Sequence, residues 1–283
     1  MRSIRHILVP RDFSPPSEAA LAVALRLAAR ADATLHLVHV DVLSEDPYGS
    51  PDDAAGLAAR LRERLKGIVD HDRGDGTPFD PGSVRMEHAV FHEVAAGPTI
   101  ARHAAEIGAD LVVMGRHARR GVGRAVLGSI AEHLTREAPC PVATVVPARD
   151  TADDESRAYD DLPGVVLCAV DLSDASEAAV DLAAGLAEGL DARLDLLHAG
   201  SADSDARERV DALAARVADS VEVRSDIRNG SPTEAIAQAI AETPPDLVVV
   251  GRRAGMARLL GSVSERIVQT AATPIVVALE DRA

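Results

Sequence analysis

A chain of 283 residues is about twice the usual length of one domain, and 47% hydrophobic residues are ample for two cores. A formal charge of −15 opposes a phosphate backbone, and the only aromatics (Phe13, Tyr48, Phe79, Phe91 and Tyr159) are too few to stack bases, so nucleic acid is excluded as a partner. No apolar run is long enough to cross a membrane and the N-terminus lacks the pattern of a signal peptide, so the expectation is a cytoplasmic protein without membrane insertion.

The first element is the apolar run His6–Pro10, without alternation, as expected of a parallel strand covered on both faces. Asp12 follows it, then Ser14 as a prospective N-cap and Pro15 in the first turn of a helix over about 15–31. A second strand spans Thr34–Val40, and a helix is expected over about 54–69. A third strand is placed at Val84–Val90, a helix at 98–107 and a central strand at Asp110–Met114. That strand leads into Gly115, an Arg- and Gly-rich loop, a helix opening at Gly128-Ser129, and a last strand at Pro141–Val146. Strands alternating with helices predict βαβ units in a parallel sheet, with ligands bound at the strands' carboxyl ends. Asp12, Val40 and Gly115 all stand at such ends. The N–H groups at the Gly128-Ser129 helix start form an anion site, glycine allowing close approach and serine adding a hydroxyl.

The order then repeats. The stretch from Val165 matches that from His6, with Asp12 and Asp171, and His39 and His198, each 159 residues apart. Asp110 to Gly115 matches Asp246 to Gly251 at an offset of 136, so the second copy is 23 residues shorter between these anchors. Residues 149–162 read as an acidic linker, dividing the chain into domains at 1–148 and 163–283. The final strands, Pro141–Val146 and Pro274–Leu279, are expected to pair the halves about a pseudo-twofold axis. Cys140 and Cys168 lie in apolar strands, which suggests structural thiols in a reducing compartment.

The start ILVPRDFSPPSEAAL, the motif ADLVVMG and the segment LGSIAEHLTREAPCPVATV resemble a tandem universal stress protein over nearly the whole chain. The resemblance implies two Rossmann-like α/β domains, each a five-stranded parallel sheet flanked by helices. It also implies a stress-response or signalling role and ATP as ligand, with Mg as an optional companion. Nucleotide-binding members carry Gly-x2-Gly-x9-Gly-Ser/Thr, matched here by Gly115-x2-Ala118-x9-Gly128-Ser129 and, with a loop three residues shorter, by Gly251-x2-Ala254-x6-Gly261-Ser262. Alanine stands for the second glycine in both copies, which would cost about 1 kcal/mol if φ > 0 were required there. The resemblance assigns nucleotide binding to Pro10, Asp12, Val40, Met114, Gly115, His117, Ala118, Gly128, Ser129 and Ile130. In the second half it assigns Asp171, Gly251, Gly261 and Ser262, where the shortened loop suggests a smaller nucleotide or none. It further implies internal pairing of the halves, a homodimer, and a regulatory protein partner of unknown identity.

Each assignment has a plainer alternative. Asp12 and Asp171 could be turn residues, and Ser129 and Ser262 helix caps. Arg116, Arg119, Arg120 and Arg124 could neutralise phosphates or lie in a solvated loop. The histidines form no convincing metal set, and no Walker A sequence or nucleophile elbow is present, so no catalytic residue is assigned and at most slow ATP hydrolysis is expected. The alternative function is a nucleotide-independent interaction protein with degenerate sites.

Overall fold

The structure, a computed structural model, describes residues 4–42, 84–116, 128–146, 164–173, 175–252, 267 and 273–279. The expected helix at 54–69, the loop at 117–127 and the linker at 149–162 lie outside the described residues.

The first half contributes β1 (His6–Pro10), β2 (Thr34–Val42), β3 (Met86–Glu93), β4 (Leu111–Gly115) and β5 (Val142–Val145). The second contributes β6 (Val165–Val170), β7 (Arg193–Ala199), β8 (Val223–Arg228), β9 (Leu247–Arg252) and β10 (Ile275–Leu279). All ten form one sheet in the order β3-β2-β1-β4-β5-β10-β9-β6-β7-β8. Within each half the described strands pair in parallel. At the junction β5 meets β10 antiparallel, Thr144 opposite Ile275 and Val142 opposite Val277. The expected pairing of the halves through their last strands is thus present within the chain.

Both faces of the sheet are covered, which is why β4, β6 and β9 read as unbroken apolar runs. On one face lie α1 (Pro15–Ala31), α4 (Ala175–Leu190) and α5 (Ser204–Ala215), sharing a core that runs through both halves. There α1 and α4 meet across the junction, Leu27 Cδ2 lying 3.9 Å from where a Cβ on Gly189 would stand. On the other face lie α2 (Ala96–Glu106), α3 (Ser129–Glu137) and α6 (Pro232–Glu242). Cys140 and Cys168 are buried and unbridged, and burial pushes the Cys168 thiol up to about 12.

The duplication is written into the backbone. Phe13 and Leu172 take φ of 61° and 60° in the turns after β1 and β6, and Asp32 and Asp191 end α1 and the matching α4 in the same left-handed region. Asp110 Oδ2 accepts from His6 N at 3.0 Å, and its counterpart Asp246 accepts from Val165 N at 2.8 Å. Several boundaries differ from expectation, among them the end of β2 at Val42 rather than Val40 and of β3 at Glu93 rather than Val90. Strand β3 begins at Met86 rather than Val84 because it is a half-exposed edge strand with little apolar signal. Helix α2 begins at Ala96, two residues before Pro98, so the proline falls inside the first turn.

Candidate functional site

In the first half the chain runs from β1 outward to β2 and β3, then returns to place β4 on β1's other side. The carboxyl ends of β1 and β4 therefore diverge, the position where open α/β sheets form clefts. A cleft of about 190 Å³ opens there. Pro10, Asp12, Val40, Met114, Gly115, Gly128, Ser129 and Ile130 all line it, brought together from β1, β2, β4 and the start of α3. His117 and Ala118 lie outside the described residues, as do Gly261 and Ser262.

Asp12 is exposed at the tip of β1 and shapes the turn that follows. Its Oδ1 accepts from Ser14 N at 3.0 Å and from Ser14 Oγ at 2.6 Å. Ser14 occupies the N-cap position of α1 but makes no side-chain cap bond; its hydroxyl donates to Asp12. On the neighbouring strand His39 donates from Nδ1 to the carbonyl of Arg11 at 2.7 Å, which fixes that nitrogen as the protonated one. His198 repeats the contact with Val170 at 3.0 Å. These histidines clamp the strand ends that carry the two aspartates.

The two glycines of the cleft serve different ends. A Cβ on Gly115 would stand 2.3 Å from the backbone carbon of Pro16 and 2.6 Å from Ser17 N, so glycine is what lets α1 seat against β4. A Cβ on Gly128 would meet nothing within 4 Å. Its backbone, at φ −64°, ψ 155°, is the N-cap of α3 and stands open to the cleft. Ser129 is therefore the first helical residue rather than the cap. Backbone N–H groups at this start face the cleft with the positive end of the helix dipole.

Arg116, weighed in the sequence as a phosphate partner or a solvated loop residue, follows β4 in the cleft wall and is only 1% exposed, and burial brings its guanidinium down to about 10. Other residues of the wall carry no assignment in the sequence. Arg11 is also buried, its Nη2 donating to Glu18 on α1. Ala96 and Ile100 reach the cleft from α2, far away in sequence, with no local signal to announce them. Val38 was legible, since it precedes Val40 by one period of the strand.

In the second half Asp171 and Gly251 hold the matching places, after β6 and within β9. Asp171 Oδ1 accepts from Ser173 N at 3.0 Å, from Ser173 Oγ and from Ser176 Oγ at 3.1 Å. Arg209 of α5 donates to the carbonyl of Leu172 across this turn. Among the described residues no cluster of three His, Cys, Asp or Glu could hold a metal ion, and no helix is long and apolar enough to cross a membrane.

The sequence profile described as the universal stress protein family matches residues 3–146 and again 164–278. A universal stress protein of Mycobacterium tuberculosis is 31% identical, over 97% of this chain and 96% of its own length. A shorter one from Thermus aquaticus is 32% identical over 49% of this chain and 96% of its own. Among solved structures, a universal stress protein from Archaeoglobus fulgidus superimposes with a TM-score of 0.71 at 18% identity, covering 99% of this chain and 100% of that one. A protein of unknown function from Pseudomonas aeruginosa gives 0.68 at 19%, covering 99% and 94%. Two consecutive family matches on one continuous α/β sheet lead to a single conclusion: the chain belongs to the universal stress protein family, in tandem form.

Proposed function

We propose that the first half binds an adenine nucleotide, ATP in the first instance, and that occupancy of this cleft is the signal the protein carries in a stress response. The observation that supports this best is the convergence of the exposed Asp12 turn, the open Gly128-Ser129 helix start and buried Arg116 on one cleft. A carboxylate suits the hydroxyls of a ribose or the amine of a purine, aliphatic Val40 and Met114 suit a base face, and a helix start beside a guanidinium suits phosphate. Mg2+ would enter with the phosphates. At about 190 Å³ the cleft is smaller than pockets that enclose a small molecule, roughly 300–1,000 Å³. The nucleotide would accordingly lie partly exposed, which suits a sensor that exchanges its ligand. The second half is read as a degenerate copy, because its loop from Gly251 to Gly261-Ser262 is three residues shorter than that from Gly115 to Gly128-Ser129. In this reading the protein works in the cytoplasm, as a homodimer of tandem chains, through a protein partner.

Native mass spectrometry of gently purified protein, with nucleotide extracted from the same sample, tests the reading. One nucleotide per chain, lost in Asp12→Ala and kept in Asp171→Ala, supports it. Protein that carries no nucleotide and takes up none from added ATP would instead favour an interaction module with degenerate sites.

A further inference from the structure

Beneath α2, on the face of the sheet that also bears the cleft, three histidines gather. His6 Nδ1 lies 3.0 Å from His36 Nε2, and His36 Nδ1 lies 3.4 Å from Glu87 Oε2, a chain running across β1, β2 and β3. His103 of α2 lies near enough for its charge to act on His36, its ring edge-on to Phe91 at 5.0 Å and its Nδ1 3.5 Å from Glu106. His36 is 5% exposed, whereas Glu87 is open to solvent. The remaining charged neighbours are Asp110, which accepts from His6 N, and Arg102, which pairs with Glu93 on the outside of α2. At the other end of α2, His133 of α3 packs against Gly97.

The Glu87 carboxylate, 3.4 Å from His36 Nδ1, favours a hydrogen on that nitrogen, which leaves His36 Nε2 to accept from His6 Nδ1 at 3.0 Å. A proton added at His6 Nε2 leaves this chain intact. A proton taken up by His36 instead places the shared hydrogen on its Nε2, with His6 Nδ1 accepting. Only when both rings are charged do two N–H groups stand face to face across 3.0 Å, with positive charge added between the sheet and a helix that already presents His103. Burial disfavours the charged form of His36, Glu87 opposes that effect, and His6 and His103 reinforce it. The C-terminus of α2 is closed by Gly108 at φ 62° and by Ala109 N donating to the carbonyl of Ala104, but no side chain caps its N-terminus at Ala95, whereas the matching α6 is capped by Ser231. Yet α2 supplies Ala96 and Ile100 to the cleft wall.

The second half lacks the device. The positions matching His6, His36 and His103 are Val165, Asp195 and Ala239, and Asp195 pairs with Arg193 at 2.6 Å. The histidine cluster therefore accompanies only the half that has the described cleft.

We propose that His6, His36 and His103 form a pH-responsive latch under α2, which seats the helix at neutral pH and releases it in acid, loosening the nucleotide cleft. The link to nucleotide rests on the reading above; the release of α2 does not. Amide hydrogen exchange of the full chain between pH 8 and 5.5, corrected for intrinsic rates, reads the latch directly. Protection of residues 99–106 should fall toward low pH, at most about tenfold per pH unit for each proton taken up on opening, while that of the matching α6 stays level. The fall should vanish in His36→Gln. Should that variant not fold, His6→Gln removes the donor facing His36 and should reduce the fall. Equal protection of α2 at both pH values, or an unchanged fall in the variants, overturns the latch. ATP titrations over the same range test the coupling: weaker binding in acid supports it, and a constant affinity while α2 loosens overturns it. If ATP binds at neither pH the nucleotide reading falls, and the exchange data still decide the latch.

Discussion

Gly115→Ala offers the sharpest test of how the cleft is built. The added Cβ would lie 2.3, 2.4 and 2.6 Å from the carbon and oxygen of Pro16 and the nitrogen of Ser17. All three are backbone atoms of the first turn of α1, so no side chain can swing aside. Restoring an ordinary contact of 3.4 Å requires the helix start to retreat by about 1 Å from β4. Overpacking of this kind costs about 1–3 kcal/mol, and rigid neighbours place it at the upper end. For a chain of this size roughly 2–4 °C is lost per kcal/mol, so Tm should fall by about 6–12 °C. Far-UV circular dichroism is the assay, because the chain has no tryptophan to report by fluorescence. Gly128→Ser is the control: its Cβ meets open space and serine is a good N-cap, so stability should be kept while any nucleotide affinity drops. A Gly115→Ala protein that melts with the wild type would refute the claim that this glycine exists to seat α1.

Asp246 yields a pH prediction. Burial raises its folded-state pKa above the usual 3.8, so in acid the folded chain holds a proton that the unfolded chain has released, and this residue's contribution improves as pH falls through the folded value. Asp246→Asn should therefore be more stable than wild type at pH 7, the gain shrinking toward pH 4 in urea titrations; a gain that grows in acid would contradict the sign. Burial that pushes the Cys168 thiol up to about 12 should leave it unreactive to a thiol reagent at pH 8 in the native protein and labelled at once in urea. Val276→Asp places a carboxylate where exposure is 0%, opposite Ala143 at the β5–β10 junction, and should cost at least about 3 kcal/mol, seen as loss of the cooperative melt.

Where the sequence was informative, the reason is local. The bounds of β1 and α1 follow from an apolar run, Pro15 in the first turn and the change of period between them. The repeat at offset 159 foretold that whatever the first turn does, the second would copy, and the left-handed Phe13 and Leu172 do so. What stayed hidden depends on proximity across the fold. Nothing near Ala96 or Ile100 marks them as cleft residues, and nothing in the spacing of His6, His36 and His103 says that two strands and a helix bring them together. Ser14 stands at the expected N-cap position, yet its hydroxyl reaches back to Asp12 and makes no cap bond, a choice of rotamer that the sequence does not announce. His88 and His92 both fall within β3, where residues four apart share a face.

The junction of β5 with β10 also shapes how the chain can be assembled and how it can fail. Each half ends in its innermost strand, so an isolated half would carry a bare, apolar edge, VATV or IVVAL, with unpaired N–H and C=O groups. Joining the halves in one polypeptide supplies each edge with its partner at high local concentration. The same complementarity operates between molecules: the β5 edge of one chain can accept the β10 of another, giving a swapped dimer by the route that closes a single chain. Tandem fusion thus turns what would be a subunit contact into a step of folding, and pairing strands 131 residues apart makes that step a late one.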